Sequence, residues 1–179
     1  MSTRYVVLLR GINVGKAKRI AMADLRVMLT DLGYTDVKTL LNSGNAVVTG
    51  EDGDPDEHAG RIHAAIADRF AMDVRCLVLT GERLRAIVDG HPFVEIADNG
   101  SRMFAHILDA APDPALLAEH DPVALDPERA RLGDRVVYQW CPDGSMEAPP
   151  VATYAEKHLG VTVTARNWNT MTKLLDLLG

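Results

Sequence analysis

The chain is poor in aromatic residues and carries little positive charge. Phe, Trp and Tyr make up only 5% of its 179 residues, so few side chains are available for stacking against nucleic-acid bases. The formal charge is −6, whereas proteins that neutralise many phosphates are usually basic. Both shortages disfavour a general nucleic-acid binding protein, although they leave room for a local cationic pocket.

Cysteine is scarce as well, and histidine is scattered. Cys76 and Cys141 are far apart in sequence, which implies neither a disulfide framework nor a metal-ligand spacing. Cys76 lies in the apolar run 74–79, which favours a packing role over a reactive thiol. No pair of histidines has an HExxH-type spacing, so we expect no metal site. The histidines are His58, His63, His91, His106, His120 and His158.

Long apolar runs are absent. None approaches the ~18 residues of a membrane helix, and residues 1–4 enter a predicted strand without the apolar core of a signal peptide. The hydrophobic content of 47% is nevertheless ample for a packed core. We therefore expect a folded cytoplasmic protein with no membrane partner.

Apolar periodicity predicts the same order of elements twice. In the first half, strands at 4–9, 37–41, 46–49 and 73–79 alternate with helices that begin near Met22 and Pro55. This β-α-β-β-α-β order is that of the split βαβ, or ferredoxin-like, unit, and a further helix follows Thr80.

The second half repeats this order after the linker-like stretch 97–101. Its predicted strands are 103–108, 129–132, 135–140 and 161–164, with helices at 114–118, 150–159 and 167–178. We predict an α+β fold made of a tandem pair of ferredoxin-like subdomains, 1–98 and 101–179, with mainly antiparallel sheets and a C-terminal helix.

The stretch from Arg10 to Arg19 lies between the first predicted strand and the first predicted helix. It carries two glycines, an asparagine and four cations. In a split βαβ sheet this loop emerges at the same edge as the turn Asn42–Asn45, and the first helix begins there with its positive dipole end. Glycine-containing loops, cations and a helix N-terminus are typical of an anion pocket.

The candidate ligand-binding residues come from these two loops and from the C-terminal motif. A structural alternative stays open for each motif: Asn13 would hold its loop, the turn would be an ordinary hairpin, and Asn167 would cap the last helix while Trp168 anchors it. The candidates are Arg10, Gly11, Asn13, Gly15, Lys16, Asn42, Ser43, Asn45 and Arg166.

Three motifs together resemble one uncharacterised bacterial family, the domain of unknown function 1697. They are Arg10-Gly11-Ile12-Asn13-Val14-Gly15, Asn42-Ser43-Gly44-Asn45 and Arg166-Asn167-Trp168-Asn169-Thr170. The resemblance implies two α+β subdomains related to the ferredoxin-like fold, and it implies no reaction. The family loop commonly carries a second glycine after the Val-Gly pair, where this chain has Lys16.

Three functions remain open at this point. The first is a protein, with or without catalysis, that binds an anionic or phosphorylated small molecule at the two loops. The alternatives are a nucleic-acid binding module and a structural or interaction protein. Catalytic residues, cofactor and oligomeric state are unknown, because no carboxylate pair and no base for Ser43 can be nominated.

Overall fold

The computed structural model describes all residues from 1 to 179. It contains eight strands and six α-helices. In chain order these are β1 (Ser2–Leu9), α1 (Met22–Asp31), β2 (Thr35–Leu40), β3 (Asn45–Glu51), α2 (Pro55–Phe70), β4 (Cys76–Thr80), α3 (Gly81–Asp89), β5 (Met103–Leu108), α4 (Pro114–Glu119), β6 (Ala130–Gly133), β7 (Val136–Trp140), α5 (Val151–Leu159), β8 (Val163–Asn167) and α6 (Trp168–Leu178), with a 3₁₀ turn at Pro122–Leu125.

The strands form two four-stranded sheets with the same topology. Their orders are β2-β3-β1-β4 and β6-β7-β5-β8, and every pairing is antiparallel. Each sheet therefore has the split βαβ arrangement, with the first strand of the repeat at its centre. The predicted α+β fold of two ferredoxin-like repeats, ending in a helix, is confirmed.

The first core forms between the first sheet and the helices α1 and α2. Alternate residues of a strand point to the same face of its sheet. In β1 these are Tyr5, Val7 and Leu9, which belong to this core together with Leu25 and Ile62. The intervening residues of β1 are buried as well. This double burial explains why the strand reads as a continuous apolar run.

The second core is smaller and lies between the second sheet and its helices. Leu108, Val137 and Val163 come from three neighbouring strands, and Val151 and Leu159 come from α5. The side chain of Asp113 caps α4 by accepting a hydrogen bond from Ala115 N at 2.8 Å, followed by proline at the first helical position. An aspartate cap followed by proline is the helix-start pattern that the sequence shows at residues 113–114.

The chain divides into two compact units. The first unit is Met1–Arg85 with Lys173–Gly179, and the second is Ala86–Thr172. The division falls within α3 and within α6, whereas composition placed a linker at 97–101. The last turn of α6 joins the first unit through Leu177 O, which accepts a hydrogen bond from Arg4 Nη2 at 3.1 Å.

Residues 86–101 group with the second unit because they pack against its own elements. Tyr138 donates its phenolic proton to Ile87 O at 2.7 Å, and the rings of His91 and Trp168 lie 4.4 Å apart. Gly100 O accepts a hydrogen bond from Trp168 N at 2.9 Å. The polar, glycine-containing stretch is thus a packed loop at the start of α6.

Both cysteines are free and packed. Burial raises the pKa of the Cys76 thiol to about 12 and that of Cys141 to about 11, so both remain protonated near neutral pH. None of the helices is long and apolar enough to traverse a bilayer.

Candidate functional site

The loop that follows β1 is a closed structure held at both ends. Ile12 and Ile20 are buried, and Asn13 N donates a hydrogen bond to Lys18 O at 2.9 Å. The segment from Val14 to Arg19 between these anchors is exposed. The loop therefore projects its cations into solvent from a fixed base.

The side chain of Asn13 ties this loop to its neighbours. Its Nδ2 donates to Ile20 O at 2.9 Å and to Asn42 O at 2.7 Å, and its Oδ1 accepts from Ile20 N at 2.9 Å. The residue also has a φ of 54°, a left-handed conformation that asparagine tolerates better than most residues. Asn13 therefore organises the loop, as the structural alternative supposed.

The turn between β2 and β3 packs directly beneath the same loop. Leu9 N donates to Gly44 O at 2.8 Å. Gly44 has a φ of 91°, and a Cβ added to it would lie 2.8 Å from Ile12 Cδ1 and from Leu9 Cβ. Only glycine satisfies both the conformation and the close approach. The topological prediction that the two loops are neighbours agrees with these contacts.

Asn45 stabilises this turn from inside. It is fully buried, and its Nδ2 donates to Leu40 O at 2.9 Å and to Ser43 Oγ at 2.8 Å. Its amide nitrogen is thus engaged within the turn. Asn42 and Ser43, by contrast, are exposed.

A shallow depression of about 390 Å³ lies between the two loops. Its lining consists of Asn13, Arg19, Ile20, Ala21, Met22 and Asn42. The lining is mainly apolar, and its polar residues are one arginine and two asparagines. The depression is open and could admit a small molecule that has both an apolar part and an anionic group.

Helix α1 begins at this depression without a side-chain cap. Ala21 occupies the N-cap position and makes no capping hydrogen bond, whereas Asp54 caps α2 by accepting from Asp56 N at 2.9 Å. The first backbone N–H groups of a helix need external partners and attract negative charge. Asp24, in the first turn of α1, carries a negative charge that would repel an anion bound there.

The cations around the loop are held in different ways. Arg10 N donates to Arg75 O at 3.0 Å, which sets the backbone of these two arginines side by side, and Lys18 Nζ donates to Asp73 O at 2.8 Å. Lys16 and Arg19 are exposed. The hydrogen bond from His63 and its charge lower the pKa of Asp73, so this carboxylate remains ionised beside the loop near neutral pH.

The predicted site residues fall into three groups. Asn13 and Asn42 line the depression. Arg10, Gly11, Gly15, Lys16, Ser43 and Asn45 belong to the same two loops without lining it. Arg166 lies on β8 in the second unit, where burial lowers the pKa of its guanidinium to about 10.

The C-terminal motif serves helix α6. Asn167 Oδ1 accepts a hydrogen bond from Thr170 N at 2.9 Å, which is an N-cap. Trp168 packs on His91, and the Tyr138 ring lies 6.2 Å away. These contacts agree with the structural alternative for this motif.

Sequence reasoning missed three residues of the depression, Ile20, Ala21 and Met22. It counted Arg19 among the cations of the loop without naming it as a ligand-binding residue. A signal for them was present in the sequence. No Ser, Thr, Asp or Asn stands immediately before Met22, so an uncapped helix start could have been inferred.

A protein-bound metal finds no ready site among the usual ligands. No group of three or more His, Cys, Asp or Glu side chains is placed to hold an ion.

No curated protein matches the chain. The solved structure of SP0830, described as a conserved bacterial protein from Streptococcus pneumoniae, is similar over 100% of both chains, with 24% identity and a TM-score of 0.77. At this identity the likeness concerns the fold alone. A family model described as protein of unknown function (DUF1697) matches residues 2–138. The chain therefore belongs to the DUF1697 family.

Proposed function

We propose that this protein binds an anionic or phosphorylated small molecule in the depression between the Arg10–Gly15 loop and the Asn42–Asn45 turn. The observation that carries the proposal is the uncapped start of α1 in that depression. The backbone N–H groups of the first turn would donate to the anion, and Arg19 would supply a guanidinium at the rim.

The roles within the proposed site differ from residue to residue. Asn13, Gly44 and Asn45 shape the two loops through their hydrogen bonds and close packing. Arg19 and Asn42 are exposed and line the depression, so both can contact a ligand there. Arg10 and Lys16 add positive charge, and Arg166 is not required.

The expected affinity is modest because the depression is open. An exposed helix N-terminus contributes about 0.3–1 kcal/mol to the binding of an anion, and a hydrogen bond to a charged group about 1.5–3 kcal/mol. With both contributions near the upper ends of their ranges, about 4 kcal/mol in total, inorganic phosphate should bind with a Kd of roughly 1 mM. A ligand with an apolar part that covers Ile20 and Met22 should bind more tightly.

The test is a binding screen with inorganic phosphate, AMP and ATP, read by thermal shift and by calorimetry. Arg19→Ala should weaken binding about tenfold without changing the fold. Arg135→Ala, in the second unit, is the matched control and should bind like the unmodified protein. Asn13→Ala is unsuitable as the main test because that residue holds the loop together.

Equal binding by the Arg19→Ala and Arg135→Ala variants would refute the proposal. So would the absence of any phosphate-induced shift at 20 mM phosphate, which is about twenty times the expected Kd.

The nucleic-acid alternative has less support. Tyr5 to Leu9 of β1 and Val136 to Trp140 of β7 are all buried, which removes the exposed sheet face that an RRM uses to stack bases. The net charge of −6 points the same way.

A further inference from the structure

Strand β6 forms one edge of the second sheet and keeps one pair of backbone groups open. It pairs only with β7, and Trp140 N donates to Arg129 O at 2.8 Å. Because hydrogen-bonded and non-hydrogen-bonded residues alternate along an antiparallel pair, Arg131 and Gly133 also bond to β7. The N–H and C=O groups of Leu132 therefore point away from the sheet, where they can pair with another strand.

The other residue of β6 that faces outward is already engaged. Ala130 N donates to Asp126 O at 2.8 Å, and Ala130 O accepts from Arg131 Nη1 at 2.7 Å. Leu132 has no such partner within the chain. An antiparallel strand added here would thus pair with Leu132 through two hydrogen bonds, one in each direction.

An apolar groove lies beside this open position. Its volume is about 450 Å³, and one wall is the side chain of Leu132, which is 39% exposed. The rest of its apolar lining comes from α4 and the 3₁₀ turn: Pro114, Leu117, Ala118 and Val123. Leu132 lies opposite the core residue Val137 in the ladder, so its side chain is on the helix-covered face of the sheet. A strand paired with Leu132 would place a side chain on this same face, over the groove.

The groove and the chain around it are acidic. Asp121 lines the groove, and its Oδ1 accepts a hydrogen bond from Val123 N at 3.0 Å. Residues 103–128, which supply α4 and the 3₁₀ turn, include six Asp and Glu and no Lys or Arg. The second unit contains 13 Asp and Glu against 6 Lys and Arg, a formal charge of −7, whereas the whole chain carries −6. This surface therefore attracts a cationic partner.

Two cations of the β6–β7 hairpin are directed elsewhere. Arg131 Nη1 donates to Pro127 O at 2.5 Å, and its guanidinium lies 5.4 Å from the centre of the Phe93 ring. Arg135 Nε pairs with Asp134 Oδ1 at 3.5 Å. Neither arginine lines the groove, so the negative charge at the groove is not compensated by them.

We propose that β6 and this groove bind an extended peptide segment of a partner protein, in which an apolar residue lies between two basic ones in the pattern basic-x-apolar-x-basic. The segment adds an antiparallel strand to the sheet by pairing with Leu132. Its apolar side chain covers Leu117 and Val123, and a Lys or Arg two residues along the same face reaches the Asp121 carboxylate. Backbone pairing selects an extended conformation, and the groove and its charge select the sequence.

The test is titration of the full, isotope-labelled chain with the peptide acetyl-Thr-Lys-Thr-Leu-Thr-Lys-Thr-amide, read by calorimetry and by amide NMR spectra. We expect saturable binding by about 1 mM peptide, with shifted amide signals at Leu117, Val123 and Leu132. The peptide with Glu in place of both Lys should bind about tenfold more weakly. A peptide with an N-methylated leucine cannot donate to Leu132 O and should also bind about tenfold more weakly.

Matched variants of the protein separate the groove from the rest of the acidic surface. Leu132→Ser should weaken binding of the Lys peptide about tenfold, because it removes an apolar wall. Leu125→Ser is its control, since Leu125 is 38% exposed and does not line the groove. Asp121→Asn should weaken binding about threefold while keeping the cap on Val123 N. Asp54→Asn, which changes the similar cap of α2, should have no effect.

The outcomes that would overturn the proposal are distinct. Absence of binding at about 2 mM Lys peptide, or equal affinities of Leu132→Ser and Leu125→Ser, would remove the site. Equal binding of the N-methylated peptide would remove the added strand, and equal binding of the Glu peptide would remove the basic partner. Light scattering tests the other occupant: a dimer that Leu132→Ser converts to a monomer would make a second copy of this chain the partner and would overturn the choice of a peptide.

Discussion

The two units repeat one topology but differ in the connection that follows the central strand of each sheet. In the first unit, residues 10–21 join β1 to α1 and carry Arg10, Lys16, Lys18 and Arg19. In the second, residues 109–113 join β5 to α4 and contain two aspartates and no cation. The framework is the same, and the charge presented at the corresponding edge is opposite.

The first helices of the two units, α1 and α4, also differ in how they begin. Asp113 closes the beginning of α4 with its own carboxylate, whereas Ala21 leaves the beginning of α1 without a side-chain cap. When a carboxylate already accepts hydrogen bonds from the first backbone N–H groups of a helix, those groups attract an external anion less strongly. The comparison teaches that a duplicated fold can keep a candidate anion site in one copy and close it in the other by a change of cap.

The buried histidines of the two units differ as well. In the first, His58 is bonded at both ring nitrogens, to Tyr34 Oη at 2.6 Å and to Glu51 O at 3.0 Å. In the second, His106 Nε2 lies 2.9 Å from Gln139 Oε1, and its Nδ1 has no hydrogen-bond partner. The second unit thus retains an incompletely satisfied polar group in its interior.

The largest expected effect tests whether the first unit depends on close packing of its two loops. Gly44→Ala should lower the free energy of unfolding by about 3 kcal/mol, because its left-handed backbone disfavours alanine and its Cβ would overlap Ile12 and Leu9. Gly160→Ala, in the second unit, has a positive φ of 65° and open space around it, so it should cost only about 1 kcal/mol. Urea denaturation measures both. Equal losses would contradict the packing argument.

An intermediate effect concerns His106. Burial lowers its pKa, so between that pKa and the unfolded value near 6.5 the unfolded chain binds a proton that the folded chain does not. Stability should therefore be complete above about pH 6.5 and fall as the pH drops below it. Substituting His106→Gln should flatten the dependence of unfolding free energy on pH between 7.5 and 5.5. A variant with the unmodified slope would show that other groups are responsible.

The smallest expected effect concerns the charge at the open helix start. Asp24→Asn should tighten phosphate binding two- to threefold, because it removes the carboxylate that repels an anion at the N-terminus of α1. Asp56→Asn, in the first turn of the capped helix α2, is the control and should leave phosphate binding unchanged. Calorimetry at low salt measures the phosphate affinity of both variants. Weaker binding by Asp24→Asn would contradict the proposed position of the anion.

Much of the fold could be predicted because it depends on local patterns. Apolar runs such as Tyr5–Leu9 predicted the central strands, and Asp-Pro pairs at 54–55 and 113–114 predicted two helix starts. The repeated order of elements then implied two similar sheets. The stretch 97–101 was less predictable, because its composition is that of a linker and only its contacts with Trp168 and Asn169 place it in the second unit.

The candidate site was predictable in location and less so in composition. Topology alone placed the Arg10–Gly15 loop beside the Asn42–Asn45 turn. It could not reveal that Asn13 makes three side-chain hydrogen bonds to backbone, since asparagine suits a ligand contact and a structural one equally well. It also could not reveal that the His120 ring lies against Tyr154 and His158, because His120 stands more than thirty residues before them in the chain.

The sequence by itself determined the element order, the duplicated topology and the neighbouring position of the two loops, because these follow from periodicity, turn residues and the connectivity of a split βαβ sheet. Tertiary structure alone decided which polar side chains are engaged, which helix start stays open and which distant rings meet. The physical reason is that hydrogen-bond satisfaction and burial depend on three-dimensional neighbours, and a residue type does not specify those neighbours.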